Sequence, residues 1–241
     1  MKTIRFFSML LFLFVTASSL RAQTADEIIA KHIEAIGGIE NWKKINTVIQ
    51  VGNMSVQGAE IEITSTVIHN VGARQDISLM GMTGYQIITL TEGWSFMPFQ
   101  GQATPEAITA DDLKNGRDGL DLHGPLLDYA TKGHKVEYLG KEDVDGTDCF
   151  KLKVTLEWGN EQTLYVDVNT YYIIKSVQVR NANGQEMEVV TTFSNYTKLP
   201  EGILMPMSMS VPLGPGFAAE MTVSKIEINK PVDPAVFKPA K

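Results

Sequence analysis

The sequence predicts a mainly β protein with a minority of helix: a strongly curved antiparallel sheet, preceded by one helix and interrupted by one helical insertion. Three observations carry this. From Thr47 onward most segments alternate apolar and polar residues with the period of two that puts successive side chains on opposite faces of a strand. Turn-forming residues recur at short spacing between those segments. Between Pro105 and His134 the alternation stops, and helix formers and glycines replace it.

The elements follow in chain order. MKTIRFFSMLLFLFVTASSLRA, residues 1–22, is built like a secretory signal, with Lys2 and Arg5 before an apolar run from Phe6 to Val15 and a small residue, Ala22, at the expected cut. The apolar run is too short to span a bilayer, which takes about 20 residues. Removing Lys2, Arg5 and Arg21 takes 21 basic residues to 18 against 28 acidic ones, a net charge of −10. Such a surface repels a phosphate backbone, so no nucleic-acid partner is expected. Positions 20 to 25 read LRAQTA and offer no cysteine for acylation, so no permanent membrane anchor is expected either. Residues 23–241 then form one domain, expected to be monomeric.

Thr24 and Glu27 stand at capping-box spacing before a run in which Ile28, Ile29, Ile33 and Ile36 share one side, and Gly37-Gly38 stops it. A short second turn holds Trp42. Ile61, Ile63, Val67 and Val71 then share one parity, as do Trp94 and Phe96. The clearest strand sets Phe150, Leu152, Val154, Leu156 and Trp158 against Lys151, Lys153, Thr155 and Glu157. Turns are expected at Val71-Gly72, Gly81 to Gly84, Glu92-Gly93, Asp145-Gly146, Gly159-Asn160, Asn183-Gly184 and Glu201-Gly202. About ten strands result, a number at which an open sheet must curl or close. In the insertion, Leu120, Leu122, Leu126 and Leu127 cluster on short helical pieces that must pack on the concave side of the sheet or at its mouth.

Catalytic and metal chemistry finds little support. EDVDGTDCFKLKV, residues 142–154, has spaced aspartates, but counted from Asp143 the glycine falls at position 4 and position 12 is Val154, so it is no EF-hand. Asp145-Gly146 makes it a hairpin turn. Cys149, the single cysteine, stands beside Asp148 and near Asp145, which raise a thiol pKa, so it is structural. The four histidines, His32, His69, His123 and His134, show no zinc spacing. Asp118, Asp121 and His123 lack a serine elbow to make a triad. No enzyme, cofactor or metal is expected.

What stands out is an apolar inventory. LMPMSMSV puts Met205, Met207, Met209 and Val211 on one strand face, and Met54, Met80 and Met82 lie on other segments. Methionine suits surfaces that accept more than one apolar shape. A hydrophobic cavity follows, lined by these methionines with Trp94, Phe96, Leu126 and Leu127, and rimmed by the loop PLGPGF with Phe217.

ADEIIAKHIEAIGGIENWKKINTV, GKEDVDGTDCFKLKVTLEWGNEQTLYVDVNTYYIIK and FSNYTKLPEGILMPMSM, in this order, resemble the outer-membrane lipoprotein-sorting protein family, the LolA/LolB-like superfamily. The resemblance implies a periplasmic protein with an unclosed β-barrel whose internal helices plug or lid a hydrophobic cavity. It implies partners among lipoprotein acyl chains or lipids, carried chaperone-fashion toward the outer membrane, or an envelope protein partner where members act as sensors. For the cavity arginine of the carriers, Arg74 is the candidate here.

Overall fold

A computed structural model describes residues 24–182, 185–214 and 217–240. The signal segment, the Asn183-Gly184 turn and the centre of the PLGPGF loop lie outside these residues.

Helix α1, Ala25–Ala35, begins in the expected capping box: Glu27 N donates to Thr24 Oγ1 and Thr24 N donates to Glu27 Oε2, each at 3.2 Å. Helix α2, Ile39–Trp42, follows the Gly37-Gly38 break, and Trp42 Nε1 donates back to Ile36 O at 3.0 Å. Thirteen strands come next: β1 Thr47–Val56, β2 Ala59–Ile68, β3 Gly72–Leu79, β4 Met82–Thr89, β5 Gly93–Phe96, β6 Glu106–Ala107, β7 Lys135–Val144, β8 Thr147–Thr155, β9 Glu161–Asp167, β10 Ile173–Ala182, β11 Gln185–Lys198, β12 Leu204–Gly214 and β13 Phe217–Ile228. The count exceeds the expected ten in part because two-residue β6 is too short to show an alternating pattern. Val71, expected to continue the row of Ile61, Ile63 and Val67, lies instead in the β2–β3 turn and is exposed.

All thirteen form one antiparallel sheet in the order β6-β5-β4-β3-β2-β1-β13-β12-β11-β10-β9-β8-β7. Every neighbour is a hairpin partner except β1 and β13, whose pairing of Val48 with Ile228 through Met54 with Met221 joins the two halves of the chain. The sheet does not close. Its free edges are β6 and β7, and the stretch between them is the helical insertion. Helix α3, Ala110–Gly116, and a 3-10 turn, Arg117–Leu120, lead through tight turns to His134. The insertion thus spans from one edge to the other. Edge strand β7 carries Lys135, Glu137, Lys141, Glu142 and Asp143, charges that discourage pairing with another chain.

One face of the sheet bears the helices. Ile28 and Ile29 of α1, with Leu126, pack on Phe150, Leu152, Val154, Leu164 and Val166. Trp42, Ile45, Val48, Leu127 and Ile203 make a second cluster. The opposite face is covered over β3 to β5 by the C-terminal segment, whose Phe237 is buried against Tyr85 and Ile87. Asp145 and Gly146 both have positive φ, 50° and 87°, as a type I′ hairpin turn requires. Cys149 is buried on the face away from α1, among Val144 and Tyr165. Burial and then the surrounding carboxylates push its thiol up to about 11, the inert setting expected.

Candidate functional site

The insertion divides the space over the helix-bearing face into two chambers, and Pro125 lines both. The first is apolar and measures about 160 Å³. Ile33 and Ile36 of α1, Trp42 of α2, Leu122, Leu126 and Leu127 of the insertion, Ile173, and Leu204 and Met205 of β12 line it. Its polar members are tied down. His32 Nδ1 donates to Tyr171 O at 2.7 Å, and burial holds the imidazole below its ordinary pKa, so it is neutral. Tyr196 donates its hydroxyl to Ile173 O at 2.7 Å and stacks on Tyr172, and burial pushes its phenol pKa up.

The second chamber measures about 600 Å³ and is polar. Gln75 of β3, Gln86 of β4, Gln162 of β9, and Gln178 and Arg180 of β10 face Asp118, Asp121 and Pro125 of the insertion, with His134, Trp158, Phe193 and Met209. Arg180 donates through Nε and Nη2 to Gln178 Oε1 at 3.2 and 2.7 Å, and Gln178 Nε2 donates to Gln162 Oε1 at 3.4 Å. Trp158 Nε1 donates to Asp118 Oδ1 at 2.7 Å, and Asn160 Nδ2 donates to both Asp118 oxygens at 3.2 Å. Burial raises the Asp118 pKa against the pull of those bonds and of Arg180.

Beside this chamber His69, Asp121 and His123 place three ligand-type atoms within 4.8 Å of one another. The two imidazoles stack at 4.0 Å. These donors are already engaged: Leu122 N donates to His69 Nδ1 at 3.2 Å, His123 Nε2 bonds Ile45 O at 3.1 Å, and Lys132 pairs with Asp121. The trio pins the insertion to the β2–β3 turn.

The expected lining residues scatter over several environments. Leu126, Leu127 and Met205 meet in the apolar chamber, and Met209 lines the polar one. Met207 and Met54 belong to the adjoining core with Ile63, Met221 and Val223. Met80, 80% exposed, sits at the β3–β4 turn, and Met82 and Phe217 are exposed as well. Trp94 and Phe96 pack around Phe237 on the opposite face. Arg74 is on that face too, held to Asp76 at 2.7 Å and to Val236 O at 3.2 Å. Arg180, by contrast, does face a chamber. Sequence reasoning passed over it and the four glutamines. One signal was available: Gln162 shares the parity of Leu164 and Val166, so a polar residue stood in a buried row.

No family model and no curated protein matches the chain. Solved structures do. A protein of the DUF1329 family from Desulfovibrio piger superposes with a TM-score of 0.58 at 13% identity, covering 90% of this chain and 98% of that one. A LolA superfamily protein from Nitrosomonas europaea gives 0.57 at 15% identity, covering 90% and 98%. An outer membrane lipoprotein-sorting protein domain from Vibrio parahaemolyticus gives 0.52 at 15% identity, covering 88% and 94%. At these identities the likeness is one of fold: the chain has the unclosed antiparallel architecture of LolA superfamily proteins.

Proposed function

We propose that this protein is an exported carrier that takes an apolar chain, such as a lipid or lipoprotein acyl group, into the chamber roofed by Leu126 and Leu127, and moves it through the periplasm toward the outer membrane. The observation that carries the reading is that roof. Both leucines are buried, yet the backbone hydrogen bonds of their insertion are mostly local turns and its ties to the rest of the molecule are mostly side-chain bonds, such as those of His69, His123 and Asp118, so the apolar surface beneath them can be uncovered without unfolding a strand. A cavity of about 150 Å³ holds one benzene, so the chamber as it stands takes a few methylenes. A full acyl chain requires the leucines to move, and Met205, Met207, Met209 and Met54 then continue the apolar path along the sheet. The resemblance to lipoprotein-sorting proteins agrees with this, and no helix among the described residues is long and apolar enough to cross a membrane.

Native mass spectrometry of protein purified without detergent tests the reading directly, together with titration of fluorescent fatty acid. Bound lipid mass or saturable one-to-one fluorescence is expected. The Leu126→Ala, Leu127→Ala double variant, which removes about 2 to 5 kcal/mol of packing per site, should exchange fatty acid faster than wild type while remaining folded. Absence of both lipid mass and saturable binding in the wild type would sink the proposal.

A further inference from the structure

The geometry points to the polar chamber as a binding site for a neutral, polyhydroxylated ligand: a glycan, free or as the head of a glycolipid. The arrangement rests on strand register. Gln75 pairs directly with Gln86 across β3 and β4, and Gln162 pairs directly with Gln178 across β9 and β10. The two glutamine pairs come from opposite arms of the curled sheet and line the same chamber. That they face the insertion is fixed by their neighbours: Gln162 lies opposite Val154, which packs under α1, and Ile88, two residues from Gln86, packs on Gly116 of α3.

Apolar side chains at these positions would serve a packed core or an acyl chain better. A primary amide removed from water needs partners for two donors and one acceptor. Gln162 is 8% exposed and spends its carbonyl on Gln178. Among the described residues, no hydrogen-bond partner is found for the side-chain amides of Gln75 and Gln86, which border the chamber from the other side. A hydroxyl both donates and accepts, so one sugar hydroxyl can accept from an amide NH₂ and donate to its carbonyl, and two facing amide pairs suit several hydroxyls at once.

Charge selects against ionic ligands. Arg180 lies near Asp118, and Asp121 is paired with Lys132, so the lining is close to balanced. Trp158, 36% exposed and pinned through Nε1 to Asp118, supplies an aromatic wall for the apolar C–H face of a sugar ring. The volume lies within the usual range of small-molecule sites, about 300 to 1,000 Å³. An extended peptide would instead need a row of backbone partners along a strand edge, and the amides here come from strand interiors. The site is independent of acyl carriage, though Pro125, shared by both chambers, would put the head and chain of one amphiphile on its two sides.

The test uses the full mature chain and calorimetric titration with maltose, cellobiose, lactose and chitobiose, with dodecyl maltoside below its micelle concentration, and with laurate and trialanine as controls. Saturable binding of at least one disaccharide, or of dodecyl maltoside, is expected. It should weaken about tenfold or more in the Gln75→Ala, Gln86→Ala variant and in Trp158→Ala, with laurate affinity unchanged. Disaccharide binding assigns a free glycan; dodecyl maltoside alone, with the same glutamine dependence, assigns a glycolipid head. Binding of neither, sugar binding indifferent to the glutamine variant, or glutamine-dependent binding of trialanine instead overturns the inference. Laurate binding without sugar binding leaves the carrier reading standing and removes only this one. Gln75 and Gln86 are part-exposed, so their variant should fold, and its melting transition checks that it does.

Discussion

His32 shows how one buried residue couples the fold to pH. In an unfolded chain its imidazole titrates near 6.5, and in the fold burial lowers that value while Nδ1 donates to Tyr171 O. As pH falls through 6.5 the unfolded chain takes up a proton that the fold refuses, so stability is lost on acidification and is fully present at higher pH. The loss is at most about 1.4 kcal/mol per pH unit. The urea midpoint of the wild type should therefore fall more between pH 8 and 5.5 than that of His32→Gln, whose amide can still donate to Tyr171. His69, also lowered by burial, contributes equally to both proteins, so the difference isolates His32. Equal slopes would mean that His32 protonates in the fold without cost.

The elements meet backbone to backbone where α1 turns into α2. Gly37 has φ +112°, and a Cβ there would stand 2.3 Å from Gly202 O and 2.7 Å from Ile203 Cα, both backbone atoms of the turn between β11 and β12. The junction is also tied by Leu204 N donating to Ile36 O at 2.8 Å and by Asn41 Nδ2 donating to Gly37 O at 2.9 Å. Gly38 has φ +84° and open space around its missing Cβ, which makes it the control. Gly38→Ala should lose only the cost of a strained backbone, about 1 to 3 kcal/mol. Gly37→Ala should lose clearly more in guanidinium unfolding, since neither contacting atom can rotate away. Equal losses would show that the turn yields.

At the scale of the whole molecule the seam between β1 and β13 decides cooperativity. It joins residues near 50 to residues near 225, so it forms only when both arms of the sheet are in place. The insertion hangs between the two free edges, with most of its described backbone bonds local: Leu113 N to Thr109 O, Gly124 N to Asp121 O, Lys132 N to Asp128 O, and few, such as Asn70 N to Leu120 O, reaching the sheet. Hydrogen exchange should therefore show β1 and β13 amides exchanging only through global unfolding, and amides of residues 110–133 opening at lower free energy. Protection of the insertion equal to that of the seam would make it a fixed plug and would count against uptake by lid movement.

Much of this protein is written locally. The capping box at Thr24, the stop at Gly37-Gly38, the alternation from Phe150 to Leu156 and the turn at Asp145-Gly146 each depend on neighbours a few residues away, and each appears in the structure as the sequence implies. Alternation also states which side chains share a face, and the methionine row from Met205 to Met209 does so. It does not state which face is inside. Trp94 and Phe96 form as apolar a row as any, yet the C-terminal segment with Phe237 covers that side, and Gln86 on the other parity of the neighbouring strand looks into the chamber. Likewise the choice of Arg180 over Arg74 rests on what lies across each strand: Asp76 and Val236 O for Arg74, and open chamber beside Gln178 for Arg180. Strand parity is local chemistry with two outcomes. Which outcome is buried is set by the curl of thirteen strands and by the segments that pack on either side, and only the tertiary structure brings those together.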